Sequence, residues 1–165
     1  MTRWSVGATL IAMMLSGEIA YGFEVRREEH LVPEWYEGPV VIVLDPRAAT
    51  QVERKGDGVV VYRIPASGVL QLKSVERRSD VTAGFYVTRE NGTRDVIPFH
   101  GSDETVRRVF DLIVGTRTDF IEGSKVQREY IAYVVGIPSR RSRYEWRKLR
   151  NQALEGALGA VDYQS

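Results

Sequence analysis

The run Gly38-Pro39-Val40-Val41-Ile42-Val43-Leu44-Asp45-Pro46 decides the fold class. Its apolar core, Val40 through Leu44, lies between two prolines, is too short for a helix, and is too uniformly apolar for a strand with one wet face. It therefore specifies a strand buried on both sides. Downstream the reading repeats. Residues 47–58 are polar and end in the loop Lys55-Gly56-Asp57-Gly58, and Val59-Val60-Val61-Tyr62-Arg63-Ile64 then reads as a second strand, stopped by Pro65. Ala66-Ser67-Gly68 turns the chain into a third, Val69-Leu70-Gln71-Leu72. Two further runs, Gly84-Phe85-Tyr86-Val87-Thr88 and Asp95-Val96-Ile97-Pro98-Phe99, flank Asn91-Gly92, and Asn-Gly in that setting predicts a hairpin with a type I′ turn. Asn91-Gly92-Thr93 also spells a glycosylation sequon, but the turn explains it more simply.

Residues 102–115 fit two patterns. Val106, Val109, Phe110 and Ile113 suit a helical face with Asp103 as N-cap, whereas Phe110, Leu112 and Val114 alternate as in a strand. Strands on both sides favour a short turn or helix giving way to a strand. Tyr130-Ile131-Ala132-Tyr133-Val134-Val135 is the last strand, and from Ser142 onward helix formers dominate. Upstream, Glu28-Glu29-His30-Leu31-Val32-Pro33 reads as a charged, extended entry, and Glu34-Trp35-Tyr36-Glu37-Gly38-Pro39 as a turn. The expected architecture is mainly β, an antiparallel β-sandwich or curled sheet with a C-terminal helix.

The N-terminal residues carry Arg3, an apolar run of about a dozen residues, and small residues at Ala20 and Gly22, the pattern of a signal peptide cleaved after Gly22. The run is shorter than the ~20 residues a membrane-spanning helix needs. The expected organisation is a signal peptide over residues 1–22, a β-rich domain over 23–138 and a basic helical tail over 139–165, exported to the periplasm or the exterior. With no cysteine in the sequence, disulfides, thiolate metal sites, thiol nucleophiles and lipid-modified cysteines are excluded. A net charge of +1 gives no global pull toward nucleic acid, and no specific nucleic-acid partner is expected.

The pair of blocks His30-Leu31-Val32-Pro33-Glu34-Trp35-Tyr36-Glu37-Gly38-Pro39 and Val61-Tyr62-Arg63-Ile64-Pro65-Ala66-Ser67-Gly68 resembles a bacterial family of exported proteins known as domain of unknown function 6843. In outline that family has Ile-Pro-x-Gly-Tyr-x-Gly before one strand and Tyr-x-Ile-Pro-x-x-Gly before the next. Val32 here replaces the aliphatic residue and Trp35 the usual glycine, and Val135-Gly136 matches a late Val-Gly motif. The resemblance implies an all-β fold of exported type and no assigned activity.

No catalytic constellation is complete. His30 and His100 lack a Gly-x-Ser-x-Gly elbow and read as surface or turn residues, and two histidines without cysteine make no zinc site. Carboxylate pairs such as Glu34 with Glu37, or Asp45 with Asp57, suit turns as well as glycosidase chemistry. No cofactor and no metal are implied. Two surfaces stand out as binding candidates. One is the turn with Trp35 and Tyr36, where exposed aromatics would form a platform for a sugar, a peptide or an envelope protein. The other is the tail, where residues 140–150 hold Arg140, Arg141, Arg143, Arg147, Lys148 and Arg150 against Glu145. With Ser142 as cap, Trp146, Leu149, Ala153 and Leu154 form an apolar stripe beside the basic face. That face either is solvated or pairs with Glu24, Glu28 and Glu29, or lies on an anionic surface such as lipid headgroups or an acidic envelope polymer, with Trp146 as interfacial anchor. The leading expectation is a non-enzymatic exported binding or accessory domain. The alternative is a hydrolase-type enzyme whose carboxylates meet only in the fold.

Overall fold

The computed structural model describes residues 26–73, 81–99 and 101–159, so the expected signal peptide lies outside the described residues. In chain order the elements are β1 (Arg26–Pro33), β2 (Gly38–Asp45), β3 (Glu53–Arg54), β4 (Val60–Arg63), β5 (Val69–Lys73), β6 (Val81–Thr88), β7 (Arg94–Val96), β8 (Arg108–Ile121), β9 (Ser124–Gly136), a 3₁₀ turn (Pro138–Arg140) and α1 (Arg143–Gly159). They form a mainly β, two-sheet sandwich with a C-terminal helix. One sheet has the order β3-β4-β1-β6-β7 and the other β5-β2-β9-β8.

Both sheets are mixed rather than antiparallel. β1 runs parallel to β4 and to β6, and β2 parallel to β5, while β2–β9, β3–β4, β6–β7 and β8–β9 are antiparallel. The cause is the path of the chain. It crosses to the opposite sheet after β1, β2, β4, β5 and β7, so a strand's neighbour is usually one that the chain reaches only after a detour through the other sheet. Antiparallel pairs arise mainly where the chain stays in one sheet and turns back directly.

The central apolar strand is β2, whose Val40, Ile42 and Leu44 face the core between the sheets while Val41 and Val43 face α1. Burial on both sides is what its unbroken composition demands. The inter-sheet core adds Val32, Val60, Tyr62, Ile64, Phe85, Ile131, Tyr133 and Val135. A second cluster joins Val41, Val43 and Ala132 to Leu154, Ala157 and Leu158 of the helix.

Two hairpins refine the turn reading. At Asn91-Gly92, strands β6 and β7 do pair, Tyr86 opposite Val96. However, only Gly92 has positive φ, at 79°, and its N–H donates to the Arg89 carbonyl at 2.9 Å. This is a type I turn closed by a glycine bulge, stabilised by the Asn91 side chain accepting from the Thr93 N–H at 3.0 Å. The type I′ pattern falls instead on Glu122-Gly123, both at positive φ (50° and 76°), joining β8 to β9. Residues 102–107 form a turn, with Asp103 accepting from the Thr105 N–H at 2.8 Å rather than capping a helix, and β8 follows. Within β8 a bulge between Phe110 and Ile113 sets Asp111 at φ 57°.

The helix begins as its sequence indicates. The Glu145 N–H donates to Ser142 Oγ at 3.2 Å, and the Glu145 carboxylate accepts from the Ser142 N–H at 2.8 Å, a reciprocal capping box. Trp146, Arg150, Leu154, Ala157 and Leu158 are its buried residues, spaced by three and four; Leu149 and Ala153 lie at the margin of that face. Burial of each large side chain contributes about 1.5–3 kcal/mol.

Candidate functional site

The turn after β1 is held from three directions. The Arg107 guanidinium donates to the carbonyls of Pro33, Glu34 and Tyr36, and the Tyr36 N–H donates to the Pro33 carbonyl at 3.0 Å. Beneath it the Tyr36 hydroxyl donates to the Pro39 carbonyl. Tyr36 is buried, and burial pushes its phenol up to about 12. It therefore supports the turn rather than presenting a ligand platform, contrary to the expectation of an exposed aromatic pair. Trp35, its neighbour, is 68% exposed. Trp35 has an ordinary negative φ, unlike Gly38, so the turn holds a bulky side chain there without backbone strain.

Gly68 completes this corner. Its φ is 75°, its carbonyl accepts from the Val41 N–H at 2.8 Å, and the Tyr36 ring packs against its α-carbon. The two sequence blocks that carry the family resemblance are therefore two sides of one contact.

Arg140 ties the basic segment to this turn through an ion pair with Glu37 at 2.5 Å. The two surfaces singled out from sequence thus meet at one end of the sandwich. Between the bulge of β8 and the start of α1 lies a cleft of about 510 Å³, lined by Arg108, Arg141, Arg143 and Arg147 over Phe110 and Trp146. Glu104 and Asp111 also line it, but Asp111 is engaged by Arg150 at 2.8 Å and approached by Arg147 at 4.0 Å. Arg141 stacks over the Trp146 ring, 5.3 Å from its centroid, and Phe110 meets that ring edge-on.

Several expected roles change. Trp146 is buried, its ring packed over Gly136, and is not available as an interfacial anchor. Arg150, expected on the polar face, is buried beside Asp111 and donates to its carbonyl at 2.7 Å. The helix is also held from the sheet by Arg128, which donates to the Leu158 carbonyl at 2.8 Å while paired with Asp119. Of the entry-segment acids, Glu24 lies outside the described residues, while Glu29 pairs with Lys55 and Arg94 and Glu28 is buried, so neither of these two meets the basic helix. Lys148 lies on the solvent side of α1 with Tyr144 and Gln152, outside the cleft.

Sequence reading missed the polar cluster in the core. Glu28 and His30, read as a charged entry, point inward from the middle of the first sheet and are 2% and 1% exposed. Tyr62 donates to Glu28 Oε1 at 3.1 Å, His30 Nδ1 lies 3.1 Å from the Tyr133 hydroxyl in the other sheet, and His30 Nε2 is 3.9 Å from Glu28 Oε2. Burial raises the Tyr133 phenol well above its ordinary value, so that hydroxyl stays protonated. Aromatic rings close around the imidazole, with Phe85 at 4.7 Å and Tyr62 at 5.0 Å. The only local signal is the alternation Glu28, His30, Val32. The network is sealed from solvent, so it bonds the two sheets together and offers no surface to a substrate. Among the described residues no group of three His, Asp or Glu side chains gathers as a metal site would.

A two-sheet sandwich with a docked helix and an arginine-lined cleft at one end is the class of protein this geometry defines. The chain belongs to the family of unknown function DUF6843, whose model matches residues 24–142. Among solved structures it is similar to a candidate lipoprotein from Bacillus anthracis, at 15% identity and a TM-score of 0.50, over 78% of this chain and 92% of that one. At that identity the likeness shows the fold. No curated protein matches the sequence.

Proposed function

We propose that the protein is an exported, non-enzymatic accessory domain that holds an acidic envelope polymer in the cleft between β8 and α1. The observation that carries the reading is the convergence of Arg108, Arg141, Arg143 and Arg147 on one concavity. Guanidinium groups bind carboxylate and phosphate through paired N–H donors, and a concave wall shields such contacts from screening. Trp146 is buried and the apolar face of α1 is docked on the sheet, so that face is not free to insert into a bilayer, which favours a polymer strand over a membrane surface. Export is supported by the N-terminal pattern and agrees with the description of the Bacillus anthracis neighbour as a lipoprotein, although this sequence has no cysteine to carry a lipid anchor.

The test is titration of the full chain with inorganic polyphosphate and with poly-glutamate at low ionic strength, alongside co-sedimentation with phosphatidylglycerol vesicles. Binding to a polyanion should weaken with salt, fall at least about tenfold in Arg141→Glu/Arg143→Glu/Arg147→Glu, and change little in Lys148→Glu. The polyphosphate and poly-glutamate arms separate phosphate from carboxylate recognition. Binding to vesicles alone, or equal losses in both variants, would refute the cleft as the site.

A further inference from the structure

We infer that β8 is a dimerisation edge, pairing antiparallel with β8 of a second copy about a two-fold axis at Thr118. β8 closes one side of its sheet, and beyond the bulge its only strand partner among the described residues is β9. An open edge of this length presents a row of backbone donors and acceptors, which soluble proteins normally cover or blunt. Here no proline or lysine interrupts residues 113–121. α1 packs over β2 and β9 and leaves the far half of β8 uncovered. The side chains along that half alternate strictly, with Val114, Thr116, Thr118 and Phe120 exposed and Gly115, Arg117, Asp119 and Ile121 partly buried on the helix side. Val114 is 54% and Phe120 70% exposed, apolar groups that gain from being covered.

The sequence is self-complementary in one register. With Thr118 opposite itself, Arg117 of each copy faces Asp119 of the other, giving two symmetric opposite-charge pairs on the helix side. Within each copy Asp119 already accepts from Arg128 and, at 3.0 Å, from Arg117 Nε, so across the dyad the two Arg117 guanidinium groups and the two Asp119 carboxylates gather into one cluster of alternating charge. On the other face Phe120 lies opposite Thr116 and diagonal to Val114 and Thr118, so the apolar groups cover one another. Moving the dyad to Arg117 or Asp119 places like charges directly opposite, which is unfavourable. A two-fold contact is self-limiting, because β8 of each copy is used up against the other and no open chain of molecules follows. The two four-stranded sheets join into one continuous sheet, and the clefts proposed above remain outside the junction.

The natural absence of cysteine makes a register-specific test available. Directly opposed residues in an antiparallel pair have Cα atoms about 4.5–5.5 Å apart, within disulfide range, whereas a residue two places from the dyad is about 13 Å from its own copy. Sedimentation of the full chain should give twice the chain mass. Under mild oxidation Thr118→Cys should cross-link nearly completely and Thr116→Cys hardly at all. Phe120→Glu/Thr116→Glu, which sets carboxylates against each other on exposed positions, should give a folded monomer. A monomer in the unmodified protein at all accessible concentrations overturns the inference, as does a dimer in which Thr118→Cys cross-links no better than Thr116→Cys.

Discussion

Substituting Gly68 with alanine tests whether the two family blocks act as one contact. A Cβ at this position would fall on the Tyr36 hydroxyl, 2.9 Å from Tyr36 Cζ and 2.5 Å from the Pro39 carbonyl oxygen. The second obstacle is backbone of β2 and cannot swing aside. The left-handed φ of 75° costs an alanine about 1–2 kcal/mol. Overpacking adds about 1–3 kcal/mol, and loss of the buried Tyr36 hydrogen bond about 1 kcal/mol more. The expected destabilisation is therefore about 3–6 kcal/mol by urea denaturation. Gly92→Ala is the control, since it has a similar φ of 79° but nothing within 4 Å of the new Cβ. It should lose only the dihedral part. Tyr36→Phe in the Gly68→Ala background should cost less than Tyr36→Phe alone, because the hydroxyl it removes is already displaced. If Gly68→Ala and Gly92→Ala lose the same stability, the contact between the blocks is not what sets the glycine, and the argument fails.

Three other outcomes follow from the same geometry. Arg150→Leu leaves Asp111 without its closest cation and should destabilise by about 3 kcal/mol, with faster amide hydrogen exchange concentrated in α1. Tyr133→Phe removes a buried hydrogen bond between the sheets and should cost about 1–3 kcal/mol in thermal or urea unfolding, without affecting polyanion binding. Alkali should destabilise the fold: the Tyr36 phenol is raised to about 12 by burial, so the folded state binds its proton more tightly than the unfolded chain, whose tyrosines titrate near 10. That contribution is complete below pH ~10 and is lost as pH rises toward 12, and it should shrink in Tyr36→Phe.

The strands were legible wherever burial alone specified them. β2, β4 and the second half of β9 have compositions that only a covered strand can use, β5 alternates between turn signals, and Ser142 with Glu145 announces the helix start by local bonding. β1 was legible as extended but not as the centre of a sheet. Its inward positions are Glu28 and His30, which become acceptable in a core only because Tyr62 and Tyr133 reach them from 34 and 103 residues away. A local pattern holds no trace of partners that distant. The same reason hid Arg150, whose place in an apolar stripe depends on Asp111 in a bulge on another element. Parallel pairing was hidden because hairpin signals report only on strands joined directly.

The candidate site shows how far residue type can lead without geometry. Trp35 and Tyr36 read alike from sequence because both sit in a turn, but a turn has an inside, and its carbonyls take up the Tyr36 hydroxyl and the Arg107 guanidinium there. The tail was identified by its charge, and charge alone suggested a flat surface contact. Folding divides that charge unequally. Arg150 is consumed in docking the helix, Arg140 in tying it to the Trp35 turn, and Lys148 faces solvent. What remains, Arg141, Arg143 and Arg147, is turned with Arg108 toward one concavity. Arg108 comes from a strand whose sequence gave no reason to connect it with the tail. A basic segment of a chain near neutrality thus acquires direction from the residues that neutralise part of it, and the ligand suited to the remainder is one that fits a cleft.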